Sequence, residues 1–212
     1  MWLFWVSIIR YCMLHSCLLH SCLIHDLLWW REERKKKQRK IGLAPCLLLP
    51  CGFFDGASTS TAAGVGYSVF INGNHHLDFA LGVGCGSNTK AELMGLWALL
   101  LSSQMMSIPL VQIYGDSQVI INWAKGITTL TPPDLSHWCG ETHKLITSFH
   151  DLAFCHIYRE HNRIANRLSK TTLSLAPGYR CFSEFIDDKL VSSDSFQLFW
   201  ALSYWGAFYS LF

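Results

Sequence analysis

The chain has 212 residues, half of them apolar and 14% aromatic, with a formal charge of +2 and nine cysteines. This composition excludes a disordered chain and supplies enough apolar mass for one domain of ordinary size plus extra segments. The near-neutral charge excludes no function class, because a local basic patch is enough for an enzyme to hold nucleic acid.

The cysteines are odd in number and contain no C-x-x-C pair. They read as reduced thiols rather than a disulfide framework, which favours a reducing compartment such as cytoplasm or nucleus. Residues 1–50 form a hydrophobic and basic extension. It opens on "MWLFWVSII", continues through "LHSCLLHSCLIH", and ends in the block "REERKKKQRK". Residues 1–30 have the length of a membrane anchor, with the basic block on the cytoplasmic side, but Arg10, three histidines and Asp26 interrupt the run. The fivefold spacing of His15, His20 and His25, and of Cys12, Cys17 and Cys22, fits neither zinc-ligand spacing nor one helix face. The remaining reading is an extension outside the fold.

Residues 51–176 have the texture of an α/β domain. "GFFDGAS" reads as a strand ending at Asp55. "GVGYSVFING" is a second strand, with Asn72-Gly73 as a hairpin signal, and "LDFALGVG" is the returning strand. "NTKAELMGLWALL" is a helix, apolar almost all round. Its lone acid, Glu92, fits a capping box with Thr89. "LVQIYGD" is a fourth strand, apolar enough to be buried on both faces. "SQVIINWAKG" is a helix that Ser117 can cap and Gly126 can stop. "HWCGETHKLITSF" is a helix with Trp138, Leu145 and Phe149 on one side, "AFCHIYREH" a last strand, and "NRIANRLSKTTL" a last helix. Trp97, Trp123 and Trp138 lie on helical stripes and read as core before they read as stacking platforms. The order predicts a mixed five-stranded sheet flanked by helices, with residues 177–212 as a loosely patterned tail.

Asp55 and Asp116 fall at the ends of the first and fourth strands, and Glu92 at the head of the first helix. In a sheet where those strands are neighbours, three carboxylates converge and repel unless cations lie between them. Hard divalent ions such as Mg²⁺ take oxygen ligands of this kind, and a pair of them assists in-line attack on a phosphodiester.

In this order and spacing, "FFDGAS", "NTKAELMGLWALL", "YGDSQVIINWAKG" and "HIYREHNRIANRLSK" resemble a ribonuclease H type 1 domain, in particular the plant reverse-transcriptase-like, retrotransposon-derived group. The resemblance covers Phe53 to Ala176. It implies a ribonuclease H-like fold and cleavage of the RNA strand of RNA–DNA hybrids with two Mg²⁺ ions, Mn²⁺ being a possible substitute. It implies Asp55, Glu92 and Asp116 as metal ligands and catalytic residues. The fourth acidic position of that family is occupied here by Asn166, which keeps an oxygen but loses a charge. His161 matches a loop histidine acting as a proton shuttle, with a solvated loop histidine as the alternative. Asn88 and Thr89 match contacts to the RNA 2′-hydroxyls. Ser117, Arg159 and Asn162 complete the expected nucleic-acid-binding set. Arg159, Arg163, Arg167 and Lys170 make a basic strip suited to phosphates. The expected partner is an RNA–DNA hybrid or double-stranded nucleic acid, with no small-molecule cofactor, held by a monomer. The alternative is a degenerate module that binds nucleic acid without cutting it.

Overall fold

The computed structural model describes residues 49–197. The readings made for residues 1–30, including the membrane anchor and the His/Cys repeat, lie outside them. Among the described residues, no helix is long and apolar enough to cross a membrane.

Three strands open the domain: β1 (Cys51–Ser58), β2 (Ala63–Phe70) and β3 (His75–Gly84). They pair as an antiparallel meander. Helix α1 (Asn88–Met105) follows, then β4 (Gln112–Gly115), α2 (Gln118–Ala124), α3 (Ser136–Thr147), β5 (Ala153–His156) and α4 (Arg163–Thr171). Two further strands, β6 (Tyr179–Ile186) and β7 (Lys189–Gln197), complete a seven-stranded sheet in the order β5-β4-β1-β2-β3-β6-β7. β4 runs parallel to both β1 and β5, and the other neighbours are antiparallel.

The expected five strands are all present, but the sheet does not stop at Ala176. Residues 179–197, expected as tail, form a hairpin on the β3 edge. Its turn is Asp187-Asp188, both at positive φ (51° and 61°), the backbone that two-residue hairpins require. A buried arginine anchors β6. The Arg180 guanidinium lies 4.5 Å from the Phe79 ring centre and donates from Nη2 to Ser102 Oγ at 2.7 Å. Such stacking of a guanidinium on an aromatic face is favourable when water is excluded.

Helix α1 is apolar almost all round because it is covered almost all round. Ala91 through Leu100 are all buried, as expected for a helix without a solvent face. On one side it lies on β1 and β2, and on the other it meets α3, where Trp97 and Trp138 pack edge to face at 5.1 Å. Both rings are core, and Trp123 is packed partly buried against the same core. Gly126 (φ +72°) ends the α2 segment as expected.

Helix α4 covers the opposite face of the sheet. The strand alternation makes this explicit: a Cβ on Gly56 would meet α1, whereas one on Gly66, the cross-strand partner of Asp55, would meet α4 at Ala165 and Ser169. Asp55 therefore points to the α4 face.

Candidate active site

The parallel β1–β4 register pairs Phe54 with Gly115. Asp116, one residue on, therefore falls beside Asp55. Asp55 does not end its strand as expected. β1 runs on to Ser58, because β2 continues to pair with it after β4 has stopped. The aspartate thus sits inside an interior strand, paired with Gly66 of β2 just beyond the last β1–β4 pair.

Glu92 arrives from α1. The helix begins at Asn88 with Ser87 as its N-cap, whose Oγ accepts from Lys90 N at 3.2 Å. The expected capping box of Thr89 and Glu92 is therefore not formed, since Glu92 lies past the first turn. Its carboxylate instead accepts from the backbone N–H of Gly56. That contact exists because Gly56 has no side chain. A Cβ there would stand 2.2 Å from Glu92 N and 2.3 Å from Ala91 C.

The three acids form one cluster, with an oxygen of each within 4.8 Å of the others. Asp55 is 1% and Glu92 6% exposed, and Glu92 Oε2 is buried without a hydrogen-bond partner. Burial, followed by the charges of Asp55 and Asp116, pushes the Glu92 pKa up to about 9. Burial also raises that of Asp55 to about 6, against the hydrogen bond from Ser169. Without a cation the cluster thus takes up protons that ordinary carboxylates would release.

Two side chains hold the aspartates in place. Ser169 Oγ, on α4, donates to Asp55 Oδ2. Asn162 Nδ2 donates to Asp116 Oδ1 at 2.9 Å and to Phe54 O at 2.8 Å, tying the end of β4 to β1. Asn162 was expected to touch nucleic acid. At 1% exposure, with both amide hydrogens used inside the protein, it cannot do so and is a positioning residue. His156, which the sequence did not single out, also reaches this region: its Nε2 lies 3.2 Å from Asp116 O.

The remaining expected residues are more open. Asn88 is exposed at the start of α1 and Thr89 is half-buried. Ser117 stands at the N-cap of α2 but makes no capping bond with its side chain. His161 is exposed at the end of a short 3-10 turn and lies outside the acidic cluster. Arg159, Arg163, Arg167 and Lys170 are all exposed. Asn166 is half-buried on α4, and its Oδ1 accepts from Arg159 Nη2 at 3.1 Å.

Comparison with known proteins fixes the family. The profile described as reverse transcriptase-like matches residues 53–172, more than half of the chain. The chain belongs to that family. This reverse transcriptase-like chain is 31% identical over 115 residues to a candidate ribonuclease H protein of Arabidopsis thaliana, and 29% identical over 125 residues to ribonuclease HI of Halobacterium salinarum. The first match covers 54% of this chain and 18% of the relative, the second 57% and 62%. The chain thus spans less than two thirds of either curated relative. The crystal structure of ribonuclease H1 from Halobacterium salinarum superposes with a TM-score of 0.55 at 27% identity, covering 59% of this chain and 98% of that one. The domain is of the ribonuclease H type, with the ribonuclease H-like α/β fold. A plant relative and a reverse transcriptase-like profile accord with the group named from the motifs.

The raised pKa of Glu92 gives a pH prediction. The fold favours its protonated form, so the associated stability is complete below its ordinary value of 4.5 and is lost as pH climbs towards about 9. Asp55 adds a similar loss between 3.8 and about 6. In metal-free buffer the thermal midpoint should therefore fall from pH 5 to pH 9. Glu92→Gln should raise the midpoint at pH 9 and flatten the upper part of the profile. Calorimetry in the presence of a chelator measures both. An unchanged slope in Glu92→Gln would mean that the carboxylate is solvated and ionised throughout.

Proposed function

We propose that the domain is a divalent-metal-dependent endonuclease that cuts the RNA strand of RNA–DNA hybrids. The observation that carries this reading is the buried oxygen of Glu92, unpartnered and grouped with Asp55 and Asp116. Three converging carboxylates, one of them with an unpartnered buried oxygen, make an all-oxygen donor set of the kind that hard ions such as Mg²⁺ or Mn²⁺ take. A bound ion supplies charge neutralisation, Lewis-acid polarisation of a phosphodiester and a nucleophile at neutral pH.

The chain's own residues do the positioning. Ser169 and the Gly56 N–H orient Asp55 and Glu92, and Asn162 fixes Asp116 against β1. Arg163, Arg167 and Lys170 lie on exposed positions of α4 and serve as phosphate contacts. Asn88 and Thr89, at the open start of α1, serve as contacts to 2′-hydroxyls, the groups that distinguish RNA from DNA. The name ribonuclease H borne by the relatives supports the hybrid as substrate.

One observation favours a second reading. The side-chain oxygen of Asn166 is held by Arg159, which is compatible with a module that retains hybrid without cutting it. The full chain should be incubated with an end-labelled RNA–DNA hybrid, with and without Mg²⁺, alongside duplex DNA and single-stranded RNA. Cleavage confined to the RNA strand of the hybrid and lost with the metal supports the nuclease. Retention of intact hybrid at every Mg²⁺ concentration replaces it with the binding module.

A further inference from the structure

The β6–β7 hairpin holds a buried charge with no counter-charge. Arg180, near the start of β6, is only 9% exposed. Its guanidinium lies with Phe79 and Ser102 on the α1 face of the sheet, opposite the face to which Asp55 points. Among the described residues it forms no ion pair. Glu184, further along β6, is taken by His75 at 2.8 Å, and Asp194 on β7 accepts from Ser195 N at 2.7 Å.

Everything around this guanidinium is neutral. Its Nη2 donates to Ser102 Oγ at 2.7 Å, and Tyr67 OH lies 2.9 Å from the same oxygen. The single hydroxyl hydrogen of Ser102 goes to Ala98 O at 2.7 Å, so Ser102 accepts from both the guanidinium and the phenol. Burial holds Tyr67 above its ordinary pKa, so the phenol stays protonated and supplies no negative charge. The ring centres of Phe79, Tyr67 and Phe196 stand 4.5, 5.9 and 5.9 Å from the guanidinium carbon. Rings attract a cation, but they leave the Nε donor unanswered: it is buried without a hydrogen-bond partner. A buried charge without a counter-ion and a buried donor without an acceptor are each costly. One oxyanion answers both, since the planar guanidinium fork matches the oxygens of a carboxylate or phosphate. The way in is at Phe196. This residue pairs with Arg180 across the hairpin, lies on the open edge strand and is 38% exposed, whereas Tyr67 and Phe79 are buried.

We propose that Arg180 anchors an oxyanion site between the β6–β7 hairpin and α1, which takes a carboxylate or phosphate group and is covered by the Phe196 ring. The site is separate from the acidic cluster and does not depend on the nuclease reading. With the anion in place, the hairpin and α1 share one charged contact, and binding there firms the hairpin.

The test is thermal melting of the full chain in inorganic phosphate, acetate or benzoate, each against sodium chloride at equal ionic strength. The wild-type midpoint should rise saturably, by about 3–6 °C at roughly ten times the half-saturating concentration. A larger rise in phosphate assigns the site to phosphate groups. A larger rise in benzoate than in acetate assigns it to carboxylates with an apolar body lying against Phe196. Arg180→Met should show no rise, and should melt above the wild type in chloride because the uncompensated charge is gone. Arg180→Lys keeps the charge without the fork and should bind the anion more weakly by about tenfold, the loss of one charge-assisted hydrogen bond. Equal rises in wild type and Arg180→Met would overturn the proposal by placing the anion elsewhere, for instance on the basic strip of α4. No rise in any salt would overturn it too, and would make Arg180 a structural pillar held by its rings. If Arg180→Met does not fold, Arg180→Lys decides, and unchanged anion affinity there removes the site.

Discussion

Gly56→Ala should destabilise the domain by about 3 kcal/mol or more, a large share of the roughly 5–15 kcal/mol that holds a typical domain folded. The added methyl would lie 2.2 Å from Glu92 N and 2.3 Å from Ala91 C. Both are backbone atoms of α1, so no side chain can swing aside. The helix would have to lift from β1, and α1 is the most buried helix among the described residues. At roughly 2–4 °C per kcal/mol for a chain of this size, the thermal midpoint should drop by about 6–12 °C. The contact between the Gly56 N–H and the Glu92 carboxylate would be broken as well. Gly140→Ala is the control of opposite sign. Gly140 lies within α3, and its Cβ would meet nothing within 4 Å. There the change should stabilise by about 0.5–1 kcal/mol, since alanine is the better helix former. Equal and small shifts for the two variants would show that the α1–β1 approach is loose.

The second large effect concerns activity. Asp55→Asn should reduce hybrid cleavage by about a thousandfold, equivalent to ~4 kcal/mol of transition-state stabilisation at 1.36 kcal/mol per factor of ten. Asp55 is the most buried of the three acids and the one on an interior strand of the sheet. Its role in folding has the opposite sign. With a pKa raised to about 6, Asp55 is ionised at pH 8 against the preference of its surroundings. The neutral amide removes that penalty and can still accept from Ser169. The metal-free variant should therefore melt at a higher temperature than the wild type at pH 8, and should lose the stabilisation that added Mg²⁺ gives. A variant that melts lower and cuts normally would place Asp55 among the structural residues and end the metal-site reading.

The acidic cluster was legible in the sequence because its logic is one of position. Asp116 follows a short apolar strand, Glu92 is the lone acid near the start of an apolar helix, and Asp55 interrupts an apolar run. Only a register that pairs the two strands brings them together. What the sequence hid was local in scale. Thr89 and Glu92 match a capping box in letters, but Ser87 caps the helix, and a shift of two residues moves the glutamate from the helix end to a place over β1. Asn162 carries the polarity of a surface contact, and nothing in its neighbours shows that both amide hydrogens are spent on Phe54 and Asp116. The β6–β7 hairpin was missed for a different reason. Its turn is Asp187-Asp188, a weaker signal than Asn-Gly, and β7 is largely exposed, so its apolar residues do not alternate cleanly. One buried side chain that ties the hairpin to the domain is Arg180, which a pattern of apolar residues passes over. The glycine requirement at Gly56 is equally silent in one sequence, because it depends on how closely another element approaches.

The placement of β1 has a consequence for the timing of motion. β1 is hydrogen-bonded along its length to β2 and over its first half to β4, and helices cover both faces. Its amides can meet water only when the domain opens as a whole, so hydrogen exchange at Phe53 to Asp55 should report the global unfolding free energy. Arg159 and Asn166 belong to an exposed turn and a nine-residue helix, and β7 to an open edge. Those segments should exchange through smaller, faster openings. The domain thus separates a slow half that holds Asp55 from a quick half on the turn, α4 and the open edge, and the surface segments can move without loosening the strand that carries the aspartate.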